Sequence, residues 1–153
     1  MTPTADVELI LPARAENVAI VRHAIGALGE AIEIDAQTLS DIRLAVTEAC
    51  TNVVVHAYPD GHEGPLEVLA TLGGERLTVV VRDEGKGISA RTDSPGLGLG
   101  LPLIASLAET VQLGHDREER TEVRMTFSLA GAPPGASAHG PNSGSAPEPP
   151  SAA

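Results

Sequence analysis

The sequence predicts an α/β (α+β) sandwich of two layers, with helices on one face of a mixed, mostly antiparallel sheet. Three observations predict it. Residues 66–72 and 76–83 read as strands joined at Gly73-Gly74, a hairpin signal. Two earlier stretches repeat apolar residues at helical spacing, and residues 121–129 return to strict alternation. Strands and helices interleaved in this order pack most simply as a sheet with its helices gathered on one side.

In chain order, Val7, Leu9 and Leu11 alternate with Glu8 and Ile10, a first strand stopped by Pro12. Val18, Val21, Ile25 and Leu28 then recur at helical spacing, with Gly29 as the expected terminator. Asp35 can cap a second helix running over about 36–57, which Tyr58-Pro59-Asp60-Gly61 ends in a turn. Its buried stripe is Ile42, Ala45, Val46, Ala49 and Val53, and Glu48, Asn52 and His56 fall at the edge of that stripe. The continuous run Leu77-Thr-Val-Val-Val81 implies a strand covered on both faces. Residues 101–107 read as a short helix with Pro102 in its first turn, where a missing N–H costs nothing. A last hairpin joins 111–114 to 121–129, with Val123, Met125, Phe127 and Leu129 on one face. From Ala130 onward the composition turns to Ala, Pro, Gly and Ser and no apolar period survives. The expected organisation is therefore one domain over residues 1–130 and a disordered tail over 131–153.

Three short segments carry the chemistry: Glu48-x-x-x-Asn52-x-x-x-His56, Asp83-x-Gly85-x-Gly87 and Gly96-Leu97-Gly98-Leu99-Gly100. A carboxylate and an amide at i and i+4 share one helix face, where they can hold a nucleophile and a metal. A strand ending in Asp before spaced glycines lets the backbone approach a base closely. A second glycine run ahead of a helix makes a phosphate cradle. Plainer readings stand beside these. Asp-x-Gly is also a common turn, the second glycine run is also a flexible loop, and His56 also suits the C-terminal end of a helix dipole. Lys86, the only lysine among ten basic residues, either meets a phosphate or points to solvent.

With one Tyr, one Phe and no Trp the core must be aliphatic, and there are few surfaces on which bases could stack. The formal charge of −11 also repels nucleic-acid backbones, so no nucleic-acid partner is expected. An acidic chain that binds a nucleotide must offset that repulsion locally, through Mg²⁺, helix N-termini and backbone N–H groups. The lone Cys50 excludes an intramolecular disulfide and reads as a small buried hydrophobe. No basic-then-apolar leader and no membrane-length apolar stretch is present, so a cytoplasmic protein is expected, with no membrane partner.

Leu44-Ala-Val-Thr-Glu48-Ala-Cys-Thr-Asn52-Val-Val-Val-His56-Ala-Tyr58 resembles the N box of the GHKL (Bergerat-fold) ATPases, a family with a histidine kinase-like ATP-binding domain. Val81-Arg-Asp83-Glu-Gly85-Lys-Gly87-Ile resembles its G1 box and Gly96-Leu-Gly98-Leu-Gly100-Leu its G2 box. The resemblance spans about residues 5–130 and is strongest to the anti-sigma factor serine/threonine kinases of bacterial partner-switching systems. It implies ATP and Mg²⁺ as cofactors, with Asn52 on the metal and Glu48 as general base. It further implies Asp83 on the adenine amino group, Gly85 and Gly87 making room for the nucleotide, and Gly96, Leu97, Gly98, Leu99 and Gly100 around the phosphates. Thr121 matches a threonine near the adenine end. The family's preceding glycine is Arg120 here, and the connection from Gly87 to Gly96 is short for an ATP lid.

The function that the resemblance implies is an ATP-dependent anti-sigma factor. It would sequester a sigma factor and phosphorylate an anti-anti-sigma (STAS-type) antagonist on Ser or Thr, as a homodimer. The alternative is a nucleotide-sensing binding module without phosphotransfer.

Overall fold

The computed structural model describes residues 4–59, 62–85 and 100–130. In chain order these form β1 (Val7–Pro12), α1 (Ala15–Ala31), α2 (Ala36–Asn52) continued by a π-helical turn (Val53–Ala57), β2 (Pro65–Gly73), β3 (Arg76–Asp83), α3 (Gly100–Leu107), β4 (Thr110–His115) and β5 (Thr121–Ser128). The five strands make one sheet in the order β1-β2-β3-β5-β4, and all four pairings are antiparallel. The sheet is thus wholly antiparallel over the described residues.

Alternation along each strand sends every second side chain to the helices. Register then lines these up in rows across the sheet. Val68, Val81 and Val123 make one row, and Ala70, Val79 and Met125 the next. These six are buried together with Val21, Ile25, Ile42, Ala45, Val46 and Ala49 of α1 and α2. Branched aliphatic side chains on a pleated surface fill the layer that Trp and Tyr would fill elsewhere. Cys50 is buried in the same core and free. Burial pushes its thiol up to about 12, so it behaves as the small hydrophobe the sequence predicts.

Local signals explain most of the boundaries, and three differ from expectation. The Asp35 carboxylate accepts a hydrogen bond from Thr38 N–H at 3.0 Å and caps α2. Helix α1, however, runs through Gly29 to Ala31. It ends in a Schellman motif: Ile34 N–H donates to Gly29 O at 2.9 Å, Glu33 N–H donates to Glu30 O at 3.2 Å, and Glu33 holds the left-handed φ of 57°. Gly29 serves packing instead, since a Cβ there would collide with Leu39 of α2. The β2–β3 turn is likewise one residue later than Gly73-Gly74, because Gly73 still pairs with Arg76 and Gly74 supplies the φ of 60°.

Helix α2 keeps α geometry only to Asn52 and then widens into the π turn. Val53-Val54-Val55 places three β-branched side chains where a tight α turn crowds them. As the continuous apolar run implies, Val80 on the face away from the helices is also covered, at 5% exposure, with no second layer among the described residues. Its register neighbours are Leu69 and Arg124, and long side chains flanking a short one exclude water without a covering element.

Helix α3 packs on α2 rather than opening a third layer, and Gly100 and Ile104 are its buried residues. No described helix is long and apolar enough to cross a membrane. Because Ile104 is the fully buried side chain of α3, Ile104→Ala is expected to cost about 2–5 kcal/mol in urea unfolding. Amide exchange in residues 100–107 should accelerate more than in β3, since the lost anchor belongs to that helix.

Candidate functional site

At one end of the sheet the helix-facing rows turn polar. The last of them runs Leu11–Leu66–Asp83–Thr121–His115 across all five strands. Asp83 and Thr121 therefore share the layer of the aliphatic core and are nearly as buried, at 4% and 5% exposure. Asp83 Oδ1 accepts the Gly85 N–H at 2.9 Å. Burial raises the Asp83 carboxyl above its ordinary value, opposed by that hydrogen bond and by the positive field of His115. No donor to its second oxygen is present among the described residues.

Glu48 and Asn52 stand one turn apart on α2, Glu48 half-buried and Asn52 only 7% exposed. Asn52 Nδ2 is buried without a hydrogen-bond partner among the described residues. A buried amide donor left unpaired costs free energy, so it fits a ligand that brings an acceptor such as a phosphate oxygen. Gly100, the first residue of α3, lies against this amide: a Cβ there would stand 2.8 Å from Nδ2 and 3.1 Å from Oδ1. The N-terminal end of α3, the end at which a helix presents N–H groups, therefore abuts Asn52. An amide oxygen is also the hard donor that Mg²⁺ takes, and Asn52 fits that group on chemistry.

The two halves meet where the π turn ends. A Cβ on Gly85 would collide with the Ala57 carbonyl, so only glycine lets β3 leave the sheet this close to the end of α2. Tyr58 locks the junction. Its hydroxyl donates to Pro65 O at 2.5 Å and accepts Glu84 N–H at 3.0 Å, tying the end of the π turn to β2 and to the residue after Asp83. Burial raises the phenol's pKa. The sequence reading passed over this clamp. Its available signal was the single tyrosine, placed directly before Pro59 at the helix end.

The structure thus brings Glu48, Asn52 and Gly100 together on one side and Asp83, Gly85 and Thr121 together on the other. His56 is half-buried in the last turn of the helix, where a cation suits the C-terminal dipole. Lys86, Gly87, Gly96, Leu97, Gly98 and Leu99 lie outside the described residues. Arg120 needs no glycine backbone, because the left-handed position of its turn falls on Glu119, with φ 60°.

The family of histidine kinase-like ATPase domains matches residues 11–127. Among curated proteins, the chain is 32% identical over 135 residues to the serine-protein kinase RsbW of Bacillus mycoides strain KBAB4, covering 78% of this chain and 82% of that one. It is 33% identical, with the same coverage, to RsbW of Bacillus cereus strain Q1. Among solved structures, it superposes on the RsbU and RsbW domains of Rv1364c from Mycobacterium tuberculosis with a TM-score of 0.62. That match has 21% identity and covers 80% of this chain and 31% of that one. The histidine kinase domain of the blue-light activated EL346 kinase of Erythrobacter litoralis superposes with a TM-score of 0.52 at 23% identity. Coverage there is 78% of this chain and 62% of that one. At these identities the two structures establish a shared fold.

The raised pKa of Asp83 makes a signed prediction for the ligand-free protein. A carboxyl whose folded pKa lies above its unfolded one destabilises the fold once ionised, a penalty absent below the unfolded pKa and complete above the folded one. Asp83→Asn keeps an oxygen for Gly85 N–H and removes the charge. Urea unfolding at pH 7 is expected to find it as stable as wild type or more so, with any advantage vanishing in acid below the ordinary carboxylate range.

Proposed function

This chain belongs to the histidine kinase-like ATPase family, and from that membership we propose that it is an ATP-binding anti-sigma factor with protein serine/threonine kinase activity. The observation that carries the reading is the Asn52 amide, buried and without a partner among the described residues, one turn from Glu48 and against the first residue of α3. A carboxylate, an open amide and a helix N-terminus converge there, which is the equipment for handling a phosphate group. The RsbW relatives, named serine-protein kinases, support the same class.

In this reading Asp83 accepts a hydrogen bond from the adenine amino group through the oxygen that Gly85 N–H does not use. Guanine would present a carbonyl at that point, acceptor against acceptor, so the buried carboxylate selects adenine. Thr121 flanks the base from the neighbouring strand, and Gly85 with the adjoining Gly87 admits it close to the backbone. Asn52 would hold Mg²⁺ through its side-chain oxygen, and the start of α3 would meet phosphate. The run Gly96-Leu97-Gly98-Leu99-Gly100 is the phosphate-binding segment of this reading. When bound, ATP with Mg²⁺ would supply the phosphoryl group and neutralise charge on it. Glu48 would orient the Ser or Thr hydroxyl of the acceptor and take its proton as that oxygen bonds to the γ-phosphorus and the bond to ADP breaks.

The protein partners are a sigma factor that the domain sequesters and an anti-anti-sigma antagonist that it phosphorylates. The same reading places the chain in the cytoplasm, where a sigma factor is met, and as a homodimer.

Glu48→Gln separates chemistry from binding. Incubated with the antagonist and labelled ATP, it is expected to lower phosphotransfer about 10²- to 10⁴-fold while ATP affinity by calorimetry changes little. Unchanged phosphorylation would remove Glu48 from the mechanism. A wild-type complex that forms without phosphoprotein would make the chain a nucleotide-sensing binding module instead.

A further inference from the structure

Behind the polar row of the site, on the sheet face away from the helices, lies a row of charge. It runs Ile10–Glu67–Arg82–Glu122–Gly114, one residue out of phase with Leu11–Leu66–Asp83–Thr121–His115. Side chains alternate along a strand, so the chain neighbour of each site residue points into this second row. Arg82 adjoins Asp83, and Arg120 and Glu122 adjoin Thr121.

The second row is linked throughout. Arg82 donates to Glu122 at 2.9 Å and lies 3.5 Å from Glu67 and 3.9 Å from Asp116. Arg120 reaches across two strands, donating to Glu67 at 3.0 Å, and binds Asp116 through Nε and NH2 at 2.7 Å each. Asp116 in turn organises the β4–β5 turn. Its Oδ1 accepts both Glu118 N–H and Arg120 N–H at 2.9 Å, and its backbone N–H donates to Arg120 O at 3.0 Å. Desolvation would raise the Asp116 carboxyl, but the hydrogen bonds from Arg120 and Glu118 outweigh it and hold it below its ordinary value. These side chains are mostly covered, from 12% exposure at Glu67 and Asp116 to 26% at Arg120. Shared partners and partial burial set the cluster apart from isolated surface pairs, whose worth is small.

We propose that Arg120 is a positioning residue: by tying the β4–β5 turn to Glu67 on β2, it fixes from behind the row in which Thr121 stands beside Asp83. Without Arg120, Glu67 and Asp116 keep only their longer contacts to Arg82, at 3.5 and 3.9 Å, and the turn loses its short tie to the inner strands. Thr121 then drifts relative to Asp83, and the cost falls on adenine recognition. The inference rests on the nucleotide reading of Asp83 and Thr121, and its test is arranged so that the two fail separately.

Two measurements on the whole chain decide it, with Arg120→Ala and Glu67→Gln as parallel variants. The first is calorimetry with Mg²⁺ and ATP or GTP in the wild-type and Asp83→Asn backgrounds. Arg120→Ala is expected to weaken ATP about tenfold, to leave GTP unchanged, and to cost nothing further once Asp83 is Asn. Equal loss of ATP and GTP, full additivity with Asp83→Asn, or no loss would each overturn the proposal. The second is amide exchange in nucleotide-free protein. Gly85, whose N–H is held by Asp83, is expected to exchange about fivefold faster in Arg120→Ala while Val79 and Met125 in the core do not change. If all three accelerate together, or none does, Arg120 supports the fold and positions nothing. Should wild type bind no ATP, the kinase reading falls, and the exchange measurement alone decides whether Arg120 holds Asp83 in place.

Discussion

Everything at this site depends on a carboxylate buried at the end of the central strand. Asp83 occupies a core position by geometry, one row beyond Val68, Val81 and Val123 in a sheet whose alternation never breaks. Desolvation there is unfavourable to its charge, and the protein offsets only part of that with Gly85 N–H and the field of His115. A partly offset buried carboxylate is what the nucleotide reading requires at this position. The same holds for Asn52, a buried amide with its nitrogen unpaired among the described residues. Two under-satisfied polar groups at the edge of one aliphatic core mark the place where the fold stops optimising its own stability.

What joins them is the close passage of α2 over the end of β3. The π turn carries the helix to Ala57, Gly85 passes beneath the Ala57 carbonyl, and Tyr58 bonds to both Pro65 and Glu84. A side chain at position 85 would push these elements apart. Glycine here is a packing requirement that brings the end of β3 and the end of α2 into one place. Gly100 does the same on the other side, where Asn52 fills the space a Cβ would need.

Much of this was legible in the sequence because period and motif report the same physics. The alternation of Val123, Met125 and Phe127 and the helical stripe of Ile42, Ala45, Val46 and Ala49 placed the core correctly, since each residue's burial follows from its own phase. The boxes singled out Glu48, Asn52, Asp83, Gly85 and Gly100, which lie at the end of the sheet where α2, α3 and β3 meet. Position along the chain does not encode what a residue is for, however. Gly29 looked like a helix stop and is a packing contact, while Glu33 takes the left-handed turn that glycine usually takes. The Leu77–Val81 run implied a strand covered on both faces, and Val79, Val80 and Val81 are all buried. The ties of Arg120 to Glu67, 53 residues away in sequence, and of Tyr58 to Glu84 could not be read, because they exist only once register has been set.

The central claim is that the Asp83 row and the Asn52 face are one adenine-nucleotide site. Titrating Mg²⁺ and ATP into isotopically labelled protein and following the Asn52 side-chain amide with the backbone amides of Gly85, Gly100 and Thr121 tests it most directly. The account predicts that all four signals move along one saturation curve with ATP and stay in place with GTP. Movement of the Asn52 and Gly100 signals without those of Gly85 and Thr121, or the same response to both nucleotides, would contradict it.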